Sequence, residues 1–134
     1  MKNHSSLTIF IAILSALTFS SCQIEREVEF DIAFEDAFVH SAYFWFKEDA
    51  TEEQISAFKE DSEKLKEIKT VKGFYTGKPA NTNRPVIENT YDYALIFLFE
   101  DLEAQEYYQK DPLHVALIEK HAPIWERVMV TDVE

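Results

Sequence analysis

The chain has 134 residues, enough for one small domain, and it is strongly acidic. Its 13 Lys and Arg stand against 25 Asp and Glu, which gives a formal net charge of -12 at pH 7. Nucleic-acid binding depends on basic side chains that neutralise phosphates, so this balance argues against a nucleic-acid partner. It also argues against electrostatic docking on anionic lipids.

Residues 1–21 have the pattern of a secretory signal. Lys2 precedes an apolar run, Leu7 to Phe19, which is shorter than the about 20 apolar residues of a membrane-spanning helix. The only cysteine, Cys22, follows. The arrangement resembles a bacterial lipoprotein signal, which implies an exported protein of the cell envelope, held to a bacterial membrane only by lipid on Cys22. An ordinary signal peptide with an unpaired cysteine is the alternative.

Residues 22–36 are predicted to be an acidic tether, and residues 37–134 a folded domain. The domain opens with Phe38 to Lys47, an aromatic run without turn residues that predicts a strand. Thr51 and the following acids predict a capped helix that lasts to about Lys69. Val71 to Gly77 predicts a second strand, and a polar loop with two prolines follows it.

The second half continues the alternation of strands and helices. Tyr91 to Glu100 predicts a third strand, and Leu102 to Gln109 a short helix. An Asp-Pro pair opens another helix that ends near His121, and Trp125 to Val133 predicts the last strand. The order β-α-β-β-α-α-β predicts an α+β sandwich of the ferredoxin-like type.

Both faces of the predicted sheet are apolar. In the first strand, Phe44 and Phe46 point to one side and Tyr43 and Trp45 to the other. Helices in this connectivity cover only one face, and leaving the other in water would expose a patch larger than monomers usually carry. A second copy of the same face is the simplest cover. The sequence therefore predicts a homodimer, packed sheet against sheet.

Four segments in the same order resemble the stress-responsive α/β-barrel (Dabb) domain family: HSAYFWFK from His40, YDYAL from Tyr91, DPLH from Asp111 and VMVTD from Val128. The resemblance covers about 38–134. It implies a dimeric barrel formed by two ferredoxin-like sheets. One enzyme type in this family is a plant polyketide cyclase that performs an aldol condensation without a cofactor.

The resemblance also implies a site. In the cyclase a tyrosine and a histidine six residues later carry the proton chemistry, and Tyr108 and His114 have this spacing. His40 matches a first-strand histidine of the same pocket, whereas Tyr93 stands where the cyclase has a histidine. The implied pocket is lined by His40, Phe44, Tyr93 and Phe97, with Tyr108 and His114 as the candidate catalytic pair.

These residues also have structural interpretations. His114 would join its helix to the sheet or cap the first turn, and His40 would be a satisfied core histidine. His121 is predicted to be a C-terminal charge or cap of its helix, and Tyr107 a packing residue.

Other chemistries have weaker support in the sequence. No HxH or HxxxH pair occurs, so no metal site and no cofactor is predicted. The first hypothesis is a stress-associated dimeric module that binds a small hydrophobic or aromatic compound. The alternatives are a cofactor-free lyase or cyclase that uses the tyrosine–histidine pair, and a monooxygenase-like dimeric barrel that handles haem or a quinone.

Overall fold

The structure, a computed structural model, describes residues 37–134. The predicted signal, Cys22 and the tether lie outside these residues. The main elements are β1 (Phe38–Phe46), α1 (Glu52–Glu63), β2 (Gly73–Gly77), β3 (Tyr93–Phe99), α2 (Leu102–Lys110), α3 (Pro112–His121) and β4 (Trp125–Val133). Within the described part, no helix is long and apolar enough to cross a membrane.

The predicted ferredoxin-like order is confirmed, and the largest difference concerns the end of α1. The helix begins with a capping box, in which the Thr51 hydroxyl accepts from the Gln54 N–H and the Gln54 side chain accepts from the Thr51 N–H. It ends at Glu63 rather than near Lys69, and Lys64–Glu67 form a 3₁₀ turn. The buried Ser62 hydroxyl donates to the Phe58 carbonyl at 2.7 Å, a bond that bends helices.

The four strands form one antiparallel sheet in the order β2-β3-β1-β4. All three helices pack on the face that carries His40 and Phe44 of β1, with Phe58 of α1 and Tyr108 of α2 fully buried against it. This face holds the core of the domain. Its aromatic rings contact one another at centroid distances near 5 Å, as for Phe44 and Phe58 at 4.9 Å.

The opposite face of the sheet, called the outer face below, has no helix on it within residues 37–134. Its apolar members are Val39, Tyr43, Trp45, Tyr75, Ile96, Leu98, Met129 and Val133. Tyr75 is 70% exposed, and most of the others are half-buried. Tyr43 and Trp45 also pack against Tyr91, which lies before β3. A Cβ at Gly73 would lie 2.7 Å from Leu98 Cδ1, so a larger residue there would require the Leu98 side chain to shift.

Asp61 joins α1 to α3. Its carboxylate accepts hydrogen bonds from Lys120 (2.7 Å), Lys64 (2.7 Å) and Nε2 of His121 (2.9 Å). His121 is therefore not a simple helix cap: its ring is buried and packs against Phe58 at 5.5 Å. The donors Lys120, Lys64 and His121 hold the pKa of the Asp61 carboxyl well below its usual range.

Asp61→Asn is expected to lower the free energy of unfolding by about 1–2 kcal/mol at pH 7, since charged hydrogen bonds are lost. The folded-state pKa of Asp61 lies below the unfolded value of about 3.9, so its stabilisation is present above about pH 4 and is lost as the pH falls. The measurement is urea unfolding at pH values between 7 and 2. The difference in unfolding free energy between the wild type and Asp61→Asn should become smaller as the pH falls.

The matched control is Asp49→Asn, because Asp49 is exposed in the turn before α1 and forms no ion pair within the described residues. We expect its unfolding free energy to stay within about 0.5 kcal/mol of the wild type at pH 7. This account of the α1–α3 contact would be contradicted if Asp61→Asn had the same unfolding free energy as the wild type at pH 7, or if the difference between them did not change with pH.

Candidate functional site

A cavity of about 150 Å³ lies between the helix-covered face of the sheet and helices α2 and α3. Its polar lining is His40, Tyr108, Gln109 and His114. Its apolar lining is Ala42, Phe44, Leu95, Phe97, Leu117, Ile118, Trp125, Val128 and Val130. A larger groove runs along the β2 edge, but it is an open surface feature without a buried titratable side chain.

His40 is fixed in the cavity by the pairing of β1 with β4, which sets Asp132 opposite it. The two side chains are joined at 2.7 Å between Nδ1 of His40 and Oδ1 of Asp132. A carboxylate only accepts, so Nδ1 carries the proton and donates it to this bond. His40 is buried, whereas Asp132 is nearly half exposed. The partner thus sets the tautomer and orientation of the imidazole.

Tyr108 and His114 are brought together by the Asp-Pro junction between α2 and α3. Asp111 accepts from the Leu113 N–H at 2.9 Å and starts α3 directly after α2 ends. The junction brings the two rings to 4.5 Å between centroids. The centroid of the Tyr108 ring also lies 4.9 Å from that of Phe97 and 5.9 Å from that of His40. Both histidines therefore pack against the same tyrosine.

Burial sets the protonation of this pair. Burial lowers the pKa of the His114 imidazole, although the hydrogen bond to Gln109 partly offsets the shift. Nδ1 of His114 donates to the Gln109 carbonyl at 3.1 Å, so Nε2 is left as an acceptor. Burial also raises the pKa of the Tyr108 hydroxyl. At neutral pH the cavity therefore holds a neutral imidazole beside a protonated phenol.

The structure brings five of the six predicted site residues to this cavity: His40, Phe44, Phe97, Tyr108 and His114. Tyr93 lies on the same sheet face, paired with Phe44, but it is outside the lining. The Tyr93 ring instead packs near Phe58 at 6.2 Å and under Lys59 at 5.1 Å. The roles of the five residues stay predictions.

Some residues in or beside the cavity were missed in the sequence. Asp132 follows the alternation of β4, but its pairing with His40 depends on a register that the sequence does not reveal. Trp125 lines the cavity, and its indole N–H is one of two buried side-chain polar atoms without a partner in residues 37–134, the other being Thr70 Oγ1. The same residues contain no group of three His, Cys, Asp or Glu placed to hold a metal ion.

Comparison with solved structures gives the same fold. A dimeric protein of unknown function from Bacteroides fragilis is 25% identical, with a TM-score of 0.60 over 74% of this chain and 96% of that one. A Dabb family protein from Mesorhizobium loti is 24% identical, with a TM-score of 0.61 over 73% and 95%. Hydroxynitrile lyase from Passiflora edulis is 16% identical, with a TM-score of 0.62 over 73% and 92%.

No curated protein matches the sequence. The sequence profile of the stress responsive A/B barrel domain matches residues 38–134, which is most of the chain and nearly all of its described part. The resemblance carried by the strand and helix motifs is confirmed by this match. The chain belongs to the Dabb family of stress-responsive A/B barrel domains.

Proposed function

We propose that the protein is a stress-associated dimeric module that binds one small hydrophobic or aromatic compound in the cavity of each subunit. The observation that carries the proposal is the cavity itself, with nine apolar lining residues and a few polar groups gathered around Tyr108. An apolar cavity of about 150 Å³ holds benzene in another protein, so one ring is the expected size of the ligand. The family description supports the association with stress.

The mouth of the cavity supports an apolar, uncharged ligand. Ile118, Val128 and Val130 line the cavity and are each at least two-fifths exposed, so they form an aliphatic rim between α3 and β4. The lining contains no Lys or Arg that would pair with an anionic group. A ligand that replaces water at this rim gains from the burial of the three aliphatic side chains.

Ile118→Trp is expected to block ligand uptake, because the larger side chain fills the mouth. The matched control is Val115→Trp on the same helix, since Val115 is 40% exposed against 41% for Ile118 and does not line the cavity. Mass spectrometry of small molecules that co-purify with each protein is the measurement. We expect the wild type and Val115→Trp to retain the same compound, and Ile118→Trp to lose at least about nine-tenths of it.

Two results would contradict the binding proposal. The first is that the wild type retains no small molecule and that no single-ring compound binds when added. The second is that both tryptophan variants keep the compound equally well, which would place the ligand elsewhere on the protein.

The dimer is proposed from the outer face. Tyr43, Trp45, Ile96 and Leu98 are partly exposed there, and each Å² of apolar surface covered contributes about 25 cal/mol before the cost of association. Neighbours from Thermobifida fusca and Bacteroides fragilis are described as dimeric. The cavity lies on the helix side of the sheet, so sheet-to-sheet packing leaves its mouth away from the interface.

Cofactor-free proton transfer is the second candidate function. It is favoured by the 4.5 Å contact between the rings of Tyr108 and His114 and by the His40–Asp132 pair in the same cavity. His114 uses only one ring nitrogen for the backbone, which leaves the other for a substrate proton. The hydroxynitrile lyase of passion fruit has this fold, although 16% identity supports a shared fold only. No observation favours haem, whose pockets are several times larger than this cavity.

The second candidate predicts slow release of cyanide from a cyanohydrin of a single-ring aldehyde. His114 would take the hydroxyl proton as the carbon–cyanide bond breaks and pass it to the leaving cyanide, while Tyr108 donates a hydrogen bond that orients the substrate, so Tyr108→Phe and His114→Gln should each reduce the rate at least about 100-fold. Tyr107→Phe is the control, because Tyr107 is exposed on α2 and outside the cavity. A wild-type rate equal to that of buffer would contradict this function.

We also propose that the protein is exported and anchored by lipid on Cys22, as the N-terminal pattern predicts. In a bacterial host fed a labelled fatty acid, the wild type should carry the label and sediment with membranes. Cys22→Ala should carry no label. Ser21→Ala is the control and should behave as the wild type. An unlabelled wild-type protein in the soluble fraction would contradict the anchor.

A further inference from the structure

Both histidines of the cavity present the same ring nitrogen to it. Nδ1 of His40 donates to a carboxylate, and Nδ1 of His114 donates to a backbone carbonyl. Both of these partners only accept, so in the neutral ring the remaining nitrogen, Nε2, is an acceptor. The two hydrogen bonds thus leave two imidazole acceptors among the residues that line the cavity.

These acceptors and the Tyr108 hydroxyl have no partner within residues 37–134. Trp125 Nε1 and Thr70 Oγ1 are the only buried side-chain polar atoms there that are both closed to solvent and unpartnered. The Nε2 atoms of the two histidines and the Tyr108 hydroxyl do not belong to this closed group, and all three residues line the cavity. A ligand that fills the cavity displaces the water from these atoms.

A ligand without a hydrogen-bond donor would leave the two imidazole nitrogens desolvated and unpaired, which costs free energy. A carbonyl or ether oxygen only accepts, so it can pair with the Tyr108 hydroxyl but leaves both imidazole nitrogens unpaired, and a carboxylate adds a buried charge without a Lys or Arg in the lining. A hydroxyl on a ring both donates to an imidazole and accepts from Tyr108. The rings of Phe44, Phe97 and Trp125 complete a site for one aromatic ring.

We propose that the compound bound in this cavity is a neutral, single-ring phenol, whose hydroxyl donates to Nε2 of His114 or His40 and accepts from the Tyr108 hydroxyl. This inference rests on the proposed function and narrows its ligand to one chemical class. Specificity follows from the cost of leaving polar groups unpaired, which is the strongest means by which a site rejects an analogue that lacks a hydroxyl.

The test compares phenol with toluene, anisole, benzaldehyde and benzoate in titrations of the purified protein followed by NMR at pH 8. Toluene has nearly the size of phenol, and anisole keeps the oxygen but lacks the donor. We expect phenol to bind at least about tenfold more tightly than toluene, anisole or benzaldehyde, and benzoate not to bind.

Two variants test whether the preference for phenol over toluene arises in the cavity. His114→Phe keeps a ring but removes the acceptor, so the ratio of phenol to toluene affinity should fall at least about threefold. Tyr107→Phe should keep the wild-type ratio. Should His114→Phe fail to fold, Tyr108→Phe offers the same comparison, because it keeps the ring and removes the hydroxyl alone.

The outcomes distinguish the proposed binding function from the narrower inference that the ligand is a phenol. If toluene and anisole bind as tightly as phenol, the phenol inference is wrong while the cavity remains a site for single-ring compounds. If none of the five compounds binds, the proposed binding function and this inference are both overturned. An unchanged ratio in both folded variants would also overturn it, since the preference would then arise outside the cavity.

Discussion

The structure depends on one constraint: a four-stranded sheet has two faces, and the three helices of residues 37–134 cover only one. His40, Phe44 and Phe97 are buried under α1, α2 and α3, whereas Tyr43 and Trp45 on alternate positions of β1 are only half-buried by their neighbours. The alternation of side chains in β1 and β3 fixes this division, since a shift of one residue would exchange the two faces.

The same constraint produces the cavity. Because β4 is an edge strand, Val128 and Val130 face the helix side but stay exposed. The space between α3 and this edge is filled only in part, and the wedge that remains contains His40, Tyr108 and His114. The two proposed functions, binding and proton transfer, thus draw on one cavity formed by incomplete packing at the edge of the sheet. The outer face does not line this cavity, so the proposed dimer and the proposed ligand would use opposite sides of the domain.

Most of the fold could be predicted from the sequence because it follows local rules. The capping residues Thr51 and Asp111, and the apolar alternation of the strands, specified element type and order. The change from α-helix to 3₁₀ turn after Glu63 was not predicted, because the apolar spacing continues through Leu65 and Ile68. The pair of Tyr108 and His114 was inferred from the resemblance to the cyclase; the structure places the two rings together, and their role stays a prediction. The contact of Asp132 with His40 could not be predicted, because it depends on strand register.

The most direct test of the account is the mass of the purified protein by sedimentation equilibrium, with Ile96→Glu at the centre of the outer face and Val86→Glu as a control on an exposed loop. The account predicts twice the subunit mass at micromolar concentration for the wild type and Val86→Glu, and a folded monomer for Ile96→Glu, because a charge cannot be buried between the sheets without a partner. A wild type that stays folded and monomeric, with Trp45 fluorescing as in water, would contradict it.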